Sequence, residues 1–137
     1  MADIQKYTTP TLLLVEDEIA HADLIIRLLP LNVLGIHVFD GEEALAFLDR
    51  GHVPTLILLD LNLPRMTGLE VLRAIRDRAD TAKQPVVIMS TSDSPVDVQS
   101  AYEAGANGYV VKPFNFVEYE HTISTITKYW LGINVIG

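Results

Sequence analysis

The chain has 137 residues, no cysteine and a formal net charge of -8 at pH 7, which fits one ordinary domain and excludes disulfides, thiolate metal sites and cysteine nucleophiles. The negative charge repels phosphate backbones and anionic membrane surfaces, so we expect no nucleic-acid partner and no membrane partner. Because no apolar run approaches the roughly 20 residues of a membrane span and the polar N-terminus lacks a secretory signal, we expect a cytoplasmic protein.

Five short apolar runs end in polar or turn residues and predict five β-strands. In chain order they are residues 11–15, 35–39, 55–59, 85–89 and 108–111. Segments with helical spacing lie between and after them, near 18–29, 42–50, 67–78, 95–104 and 116–131. This alternation requires crossover connections, so we expect a doubly wound α/β fold, in which one parallel sheet carries helices on both faces.

The start of the fifth predicted helix has a clear sequence signature. Asn115 with Glu118 forms a capping box, and Phe114 with Tyr119 can form a hydrophobic staple. The chain contains no linker to a second domain, so we predict a single domain over residues 1–137. Its core covers about residues 11–131 and is followed by an apolar tail, 132–137.

The C-terminal end of the chain is apolar and carries no charge after Lys128. We expect one stripe of the fifth helix to face the sheet, namely Phe116, Tyr119, Ile123, Ile126 and Trp130. Five apolar side chains then lack a place in the core: Tyr129, Leu131, Ile133, Val135 and Ile136. A two-fold contact between copies would cover them, so we predict a homodimer through the fifth helix and the tail. The alternative is that the tail folds back over its own domain.

Chemically active side chains follow four of the predicted strands. Glu16 and Asp17 follow the first strand and Asp60 follows the third, and the carboxyl ends of parallel strands share the edge where ligands bind. Three carboxylates so close together raise one another's proton affinity unless a cation holds them, and their hard oxygen ligands favour Mg²⁺. Ser90 after the fourth strand offers a hydroxyl and Lys112 after the fifth a positive charge, as a phosphoryl group would require.

Four motifs at these strand ends resemble the receiver domains of two-component response regulators, the chemotaxis regulator among them. The motifs are "VEDE", "LLDLNLPRMTG", "MSTS" and "YVVKPF". The resemblance covers about residues 11–131 and implies a flavodoxin-like sheet in the strand order 2-1-3-4-5.

The resemblance also implies a role for each residue that matches these motifs. The residues are the phosphoacceptor Asp60, the Mg²⁺ residues Glu16, Asp17, Asp60 and Asn62 (through its backbone carbonyl), the switch hydroxyl Ser90, the phosphoryl-binding Lys112 and the switch aromatic Tyr109. The first acid is Glu16, where the family often has aspartate, and we expect its longer arm to reach the metal through water. Asn62 and Ser92 are expected at the rim of the site, where they could tune hydrolysis.

Each of these roles has a simpler structural alternative. Asp60 could cap the following turn, Asp17 could cap the first helix, and Tyr109 could be half-buried packing. An exposed lysine is the alternative for Lys112, but a cis bond to Pro113 would aim its ammonium inward. Four histidines have no ligand spacing and are interpreted as surface residues: His21, His37, His52 and His121.

The implied function is acceptance of a phosphoryl group on Asp60 from a partner histidine kinase, so that the domain catalyses only its own modification. A haloacid-dehalogenase-type phosphohydrolase is an alternative, but it requires an aspartate where Asn62 stands. A flavodoxin-like binding module is another, but it needs a glycine- or hydroxyl-rich loop where the chain has "VEDE".

The output of the domain is expected to be a protein contact, because the chain ends soon after its fifth predicted helix. Its partners would be a histidine kinase and, in a phosphorelay, a histidine phosphotransfer protein. "DGEEALAFL" and "TKYWLGIN" are similar to segments of the small regulators paired with phytochrome-type histidine kinases. That resemblance implies a phytochrome-type kinase as the partner.

Overall fold

The computed structural model describes residues 9–134, and within them a five-stranded sheet is flanked by five α-helices. The strands are β1 (Thr11–Val15), β2 (Leu34–Val38), β3 (Leu56–Asp60), β4 (Val86–Ser90) and β5 (Gly108–Val111). The helices are α1 (Ile19–Leu28), α2 (Gly41–Asp49), α3 (Gly68–Asp77), α4 (Pro95–Glu103) and α5 (Phe116–Lys128), and a π-helical segment, Tyr129–Ile133, follows α5. Within the described range, no helix is both long and apolar enough to cross a membrane.

The strands pair in parallel in the order 2-1-3-4-5, which confirms the predicted doubly wound fold. Three strands, β2, β3 and β4, are each shifted by one residue from the prediction, and the shifts of β3 and β4 affect the site. The parallel ladder continues far enough to make Asp60 the last residue of β3 and Ser90 the last residue of β4. Pairing with the neighbouring strands therefore fixes the backbone of both residues.

The sheet separates two apolar clusters, because successive strand side chains point to opposite faces. Leu13 and Ile57 belong to a cluster with residues of α2, α3 and α4, called here the α2–α4 face. Their neighbours Leu14 and Leu58 belong to a cluster with residues of α1 and α5, called here the α1/α5 face. Alternate residues along each strand therefore have the same parity and pack against the same layer of helices.

The start of α5 confirms one sequence signal and contradicts another. Asn115 Oδ1 accepts the backbone N–H of Glu118 at 2.8 Å, as the capping box requires. The predicted staple is wrong, because Phe114 is fully exposed whereas Tyr119 is buried in the α1/α5 cluster. Tyr119 packs towards the sheet and is not available to the residue that precedes the helix.

The sheet-facing stripe of α5 was predicted correctly in its middle and incorrectly at its start. Tyr119, Ile123 and Ile126 are buried, and Trp130 packs against the same cluster. Phe116 is 58% exposed, so its assignment to the stripe is wrong. Helical spacing indicates which face of a helix is apolar, but it does not indicate where along the helix the core begins.

The apolar end of the chain is only partly exposed to solvent. Leu131 packs against the α1/α5 cluster, so its assignment to an uncovered tail is wrong, whereas Tyr129 and Ile133 are exposed. Val135 and Ile136 lie outside the described residues.

The junction between β3 and α3 generates a test of the fold. A Cβ atom at Gly68 would meet the Asp60 carbonyl oxygen and, at 2.8 Å, the Cα of Leu61. Since both neighbours are backbone, we expect Gly68→Ala to lower the free energy of unfolding by roughly 1–3 kcal/mol in urea denaturation. Gly132→Ala is the control, because a Cβ there meets nothing within 4 Å. Equal effects of the two substitutions would contradict this account.

Candidate functional site

A buried ionic cluster lies at the carboxyl edge of the sheet. Lys112 Nζ donates to Glu16 Oε1 at 2.8 Å and to Asp60 Oδ2 at 3.0 Å. The exposed fractions of Glu16, Asp60 and Lys112 are 1%, 8% and 7%, so their charges interact with little competition from water. Asp17 is exposed beside them, and one oxygen from each of the three carboxylates lies within 4.8 Å of the others.

Strand alternation explains why these side chains meet. Asp60 follows Leu58 by two positions and Lys112 follows Val110 by two positions, so both share the parity of the α1/α5 face. Glu16, one residue beyond β1, keeps the same alternation, and its backbone N–H donates to the Val38 carbonyl at 3.1 Å. Three different strand ends therefore direct charged groups towards one point.

The bond before Pro113, a candidate cis peptide that the sequence left open, is trans, since no peptide bond among residues 9–134 is cis. Lys112 follows directly on β5, and its backbone N–H donates to the Ser90 carbonyl at 2.7 Å. Continued strand alternation is sufficient to direct its side chain inward from a trans peptide. The exposed-lysine alternative is also wrong, because the ammonium is buried between two carboxylates.

Asp60 and Asp17 differ in whether they cap the backbone that follows them. The backbone N–H of Asn62 donates to Asp60 Oδ1 at 2.9 Å, so Asp60 also caps the turn that follows it. The helix-capping alternative for Asp17 is wrong, because Glu18 occupies the N-cap position of α1 and makes no side-chain cap bond. Asp17 therefore remains exposed at the edge of the cluster.

Burial changes the acidity of the cluster. Desolvation by burial, together with the hydrogen bond to Asp60, raises the pKa of Glu16 to about 7 against the opposing effect of Lys112. Burial lowers the pKa of Lys112, but its hydrogen bonds and charge interactions with Glu16 and Asp60 outweigh that effect, and its pKa is raised overall. The lysine therefore stays protonated, and Glu16 retains its proton to a higher pH than an exposed carboxyl group.

The donor set fits a hard divalent cation. Glu16, Asp17 and Asp60 offer carboxylate oxygens that are close enough to share one ion, and oxygen ligands are those that Mg²⁺ and Mn²⁺ take. A single buried ammonium does not balance three carboxylates, so a cation would relieve the remaining repulsion.

Ser90 and Tyr109 lie at the neighbouring strand ends and belong to a different hydrogen-bond network. Ser90 is fully buried, and its Oγ accepts the Ser92 N–H at 3.1 Å. Tyr109 is half-buried against the α2–α4 cluster and donates its hydroxyl to the Ser92 carbonyl at 2.8 Å. The Ser92 hydroxyl donates to Asp97 and accepts the Ser94 N–H, so it is engaged at the start of α4.

Two histidines near the site were misread from the sequence as surface residues. His37 Nε2 donates to the Glu16 carbonyl at 2.6 Å, and His21 Nδ1 lies 3.5 Å from Glu16 Oε1. His52 and His121 are exposed, as predicted. The spacing of His21, three residues after Glu18, was an available signal because side chains three residues apart lie on the same face of a helix. His37 reaches a backbone atom across the sheet, and no sequence motif marks such a contact.

Comparison of the sequence with known protein families agrees with the function that this geometry suggests. Residues 12–124 match the family described as the response regulator receiver domain. The chain belongs to this family. Its relatives include a probable methanogenesis regulatory protein, FilR2, from Methanothrix harundinacea, which is 40% identical over 134 residues that cover 90% of this chain and 84% of the relative. Response regulator Rcp1 from Synechocystis sp. is 36% identical over 129 residues, 88% of each chain.

Solved structures give the same result for the fold. The Mn²⁺-bound form of Rcp1 superposes with a TM-score of 0.85 at 34% identity and covers 93% of this receiver domain and 99% of its own chain. The phosphorylated cyanobacterial phytochrome response regulator RcpA gives a TM-score of 0.89 at 32% identity, covering 94% and 99%. These relatives confirm the resemblance to small phytochrome-associated regulators of two-component signalling. They do not favour the phosphohydrolase or the flavodoxin-like alternative.

The raised pKa of Glu16 predicts a pH dependence of stability. Without metal, Glu16 retains its proton in the folded protein up to about pH 7, whereas an ordinary glutamate releases it near 4.5. Because the folded state binds more protons in this interval, the free energy of unfolding should fall as the pH rises through it. Denaturant titrations in EDTA should show this slope in the wild type and lose it in Glu16→Gln. Exposed Glu120→Gln is the control, and an unchanged slope in Glu16→Gln would contradict the assignment.

Proposed function

We propose that this receiver domain accepts a phosphoryl group on Asp60 from a partner histidine kinase in an Mg²⁺-dependent reaction, and that it signals by protein contact in a phosphorelay. The observation that carries this proposal is the contact of Lys112 Nζ with Asp60 Oδ2 at 3.0 Å, at a buried strand end beside two further carboxylates. A receiver of this kind is a signalling domain that catalyses its own phosphorylation and dephosphorylation, over residues 1–137 as one domain.

The transfer needs a positioned nucleophile and a compensating charge. A carboxylate oxygen of Asp60 attacks phosphorus, and an oxygen–phosphorus bond forms while the phosphorus–nitrogen bond to the kinase histidine breaks. The imidazole nitrogen leaves with the bonding electron pair. The Asn62 N–H holds Asp60 Oδ1 at 2.9 Å, and Lys112 stabilises negative charge on the phosphoryl oxygens as it spreads in the loose transition state.

The metal residues of the proposal are Glu16, Asp17, Asp60 and the backbone carbonyl of Asn62. When bound there, Mg²⁺ would neutralise negative charge on the carboxylates and on the incoming phosphoryl group. The oxygen donors within 4.8 Å of one another support this assignment, and the relative Rcp1 has a Mn²⁺-bound form. Glu16, the most deeply buried of the acids, would act through water.

Ser90 and Tyr109 are proposed as the switch. In this proposal the Ser90 hydroxyl turns to a phosphoryl oxygen on Asp60 and weakens its contact with the Ser92 N–H. Tyr109 senses that change because its own hydroxyl is bonded to the Ser92 carbonyl. The loop between β4 and α4 would then carry the signal to the surface formed by α4, β5 and α5.

The relatives support the choice of partner. RcpA is a phosphorylated phytochrome response regulator, so we propose a phytochrome-type histidine kinase as the phosphodonor, with a histidine phosphotransfer protein as a further partner in the relay. The net charge of -8 argues against nucleic acid and membrane surfaces as partners, and we propose a cytoplasmic location.

The test of the phosphoacceptor is Asp60→Asn, which keeps the side-chain volume and removes the nucleophile. With a small phosphodonor and Mg²⁺, intact-mass measurement should show one added phosphoryl group on the wild type and none on Asp60→Asn or in EDTA. Asp23→Asn, at an exposed position of α1, should react like the wild type. Phosphoryl uptake by Asp60→Asn would move the acceptor to another residue.

A homodimer through α5 and the tail remains our proposal for the quaternary structure. Tyr129 and Ile133 are 47% and 70% exposed, and Val117 at the other end of α5 is 75% exposed. Such apolar surface on one helix and its extension is suited to a two-fold contact with a second copy.

The dimer is best tested by substitution. Removing the chain after Lys128 would also remove Trp130 and Leu131, which pack against the core. The double variant Tyr129→Asp/Ile133→Asp should be monomeric in light-scattering mass measurements at concentrations where the wild type is dimeric, because charges would be desolvated at the contact. Val53→Asp, at another exposed apolar position, is the control. A monomeric wild type, or a double variant that stays dimeric, would refute this arrangement.

A further inference from the structure

The two helices of the α1/α5 face each bring one unsatisfied polar atom into the interior. Among the described residues, the buried side-chain atoms without a hydrogen-bond partner are His21 Nδ1 and the Tyr119 hydroxyl. The two rings lie 6.4 Å apart, with Tyr119 on α5 and His21 on α1. His21 Nδ1 is 3.5 Å from Glu16 Oε1 and 3.2 Å from Glu18 Oε2. Its nitrogen is therefore just outside hydrogen-bond distance of the oxygen that Lys112 holds.

Lys112 is shared between two acceptors. Its Nζ holds Glu16 Oε1 at 2.8 Å and Asp60 Oδ2 at 3.0 Å. Under the proposed function, Lys112 must turn to the phosphoryl group when Asp60 is modified, and Glu16 Oε1 then loses its donor. Glu16 is 1% exposed, so bulk water has little access to replace the ammonium. A buried carboxylate that loses its partner is strongly destabilised.

We infer that His21 is a positioning residue: when the site is phosphorylated, His21 Nδ1 replaces Lys112 Nζ as the hydrogen-bond donor to Glu16 Oε1. A neutral imidazole with its proton on Nδ1 is sufficient, and shortening 3.5 Å to an ordinary hydrogen bond of about 2.9 Å requires only a small side-chain movement. The inference rests on the proposed function, because the exchange is needed only when Lys112 engages a phosphoryl group.

The length of the Glu16 side chain supports this exchange of hydrogen-bond donors. Glu16 reaches between Lys112 on one side and His21 on the other, and an aspartate at this position would be one methylene shorter and draw back from His21. The second oxygen, Oε2, accepts the Glu18 N–H at 3.3 Å and keeps the carboxylate oriented while Oε1 changes partner. Glu18 also lies near His21, but its side chain is 62% exposed, so water can solvate its carboxylate.

The experiment compares His21→Leu, which removes the donor, with His21→Asn, whose amide nitrogen can occupy the place of Nδ1. Beryllium fluoride with saturating Mg²⁺ serves as the phosphoryl mimic, and its apparent affinity is read from the melting temperature. Mn²⁺ affinity in the absence of the mimic is measured by electron paramagnetic resonance. His121→Leu, at an exposed position of α5, controls for the loss of a histidine.

The expected result is a loss of beryllium fluoride affinity in His21→Leu of roughly tenfold, the size of one hydrogen bond to a charged group. His21→Asn should restore it, and Mn²⁺ affinity should be unchanged because Lys112 holds Glu16 in the resting site. In a Glu16→Asp background, His21→Leu should have no further effect, since the shortened acid no longer reaches position 21.

Three results would overturn the inference. The first is an unchanged affinity of His21→Leu for beryllium fluoride. The second is an equal loss of Mn²⁺ affinity and beryllium fluoride affinity in His21→Leu. The third is the same tenfold loss when His21→Leu is made in the Glu16→Asp background. A wild type that binds Mn²⁺ but takes neither the mimic nor a phosphoryl group would refute the proposed function, and the inference with it. A wild type that takes both, beside an unaffected His21→Leu, would refute the inference alone.

Discussion

One buried ammonium between two buried carboxylates is the interaction on which the site depends. Lys112 satisfies Glu16 and Asp60 together, and without it two charges would be held away from water without a partner. Asp17 adds a third carboxylate at the exposed edge, so the cluster keeps an excess of negative charge. The fold can hold that excess because a domain gains most of its stability from burial elsewhere, in the two apolar clusters. The unbalanced charge is what makes the edge receptive to a cation.

The parallel sheet places the acidic cluster and Tyr109 on opposite faces. Glu16, Asp60 and Lys112 share the parity of the α1/α5 face, whereas Tyr109 packs with the α2–α4 cluster. Ser90 and Tyr109 are joined in the loop that follows β4, where the Ser92 backbone is bonded to both side chains. Under the proposed switch, a change at Asp60 would reach the opposite face through this loop, without rearrangement of the strands. This division follows from the two-residue repeat of a strand.

Preorganisation of the acidic loop comes from contacts on both sides of it. His37 on the edge strand β2 holds the Glu16 carbonyl, and the Val38 carbonyl accepts the Glu16 N–H. On the other side of the loop, the Glu18 N–H donates to Glu16 Oε2 at 3.3 Å. The same principle holds at β3, where Gly68 allows α3 to begin directly against the Asp60 backbone. Fixed backbone at both acids limits the reorganisation that a metal or phosphoryl group would have to drive.

The sequence alone determined the fold class, the strand order by resemblance, and the residues that stand at the strand ends, because apolar periodicity and turn chemistry are local properties. It also located Asp60 and Lys112, since a charge that ends an apolar run is visible in the chain. Only the tertiary structure decided the partners of these residues. His21 and His37 join the site through contacts across elements, and Phe116 and Leu131 exchange their expected exposure because burial depends on where a helix meets the sheet. Local pattern fixes which face of an element is apolar, whereas the neighbours that cover that face are set by the packing of the whole domain.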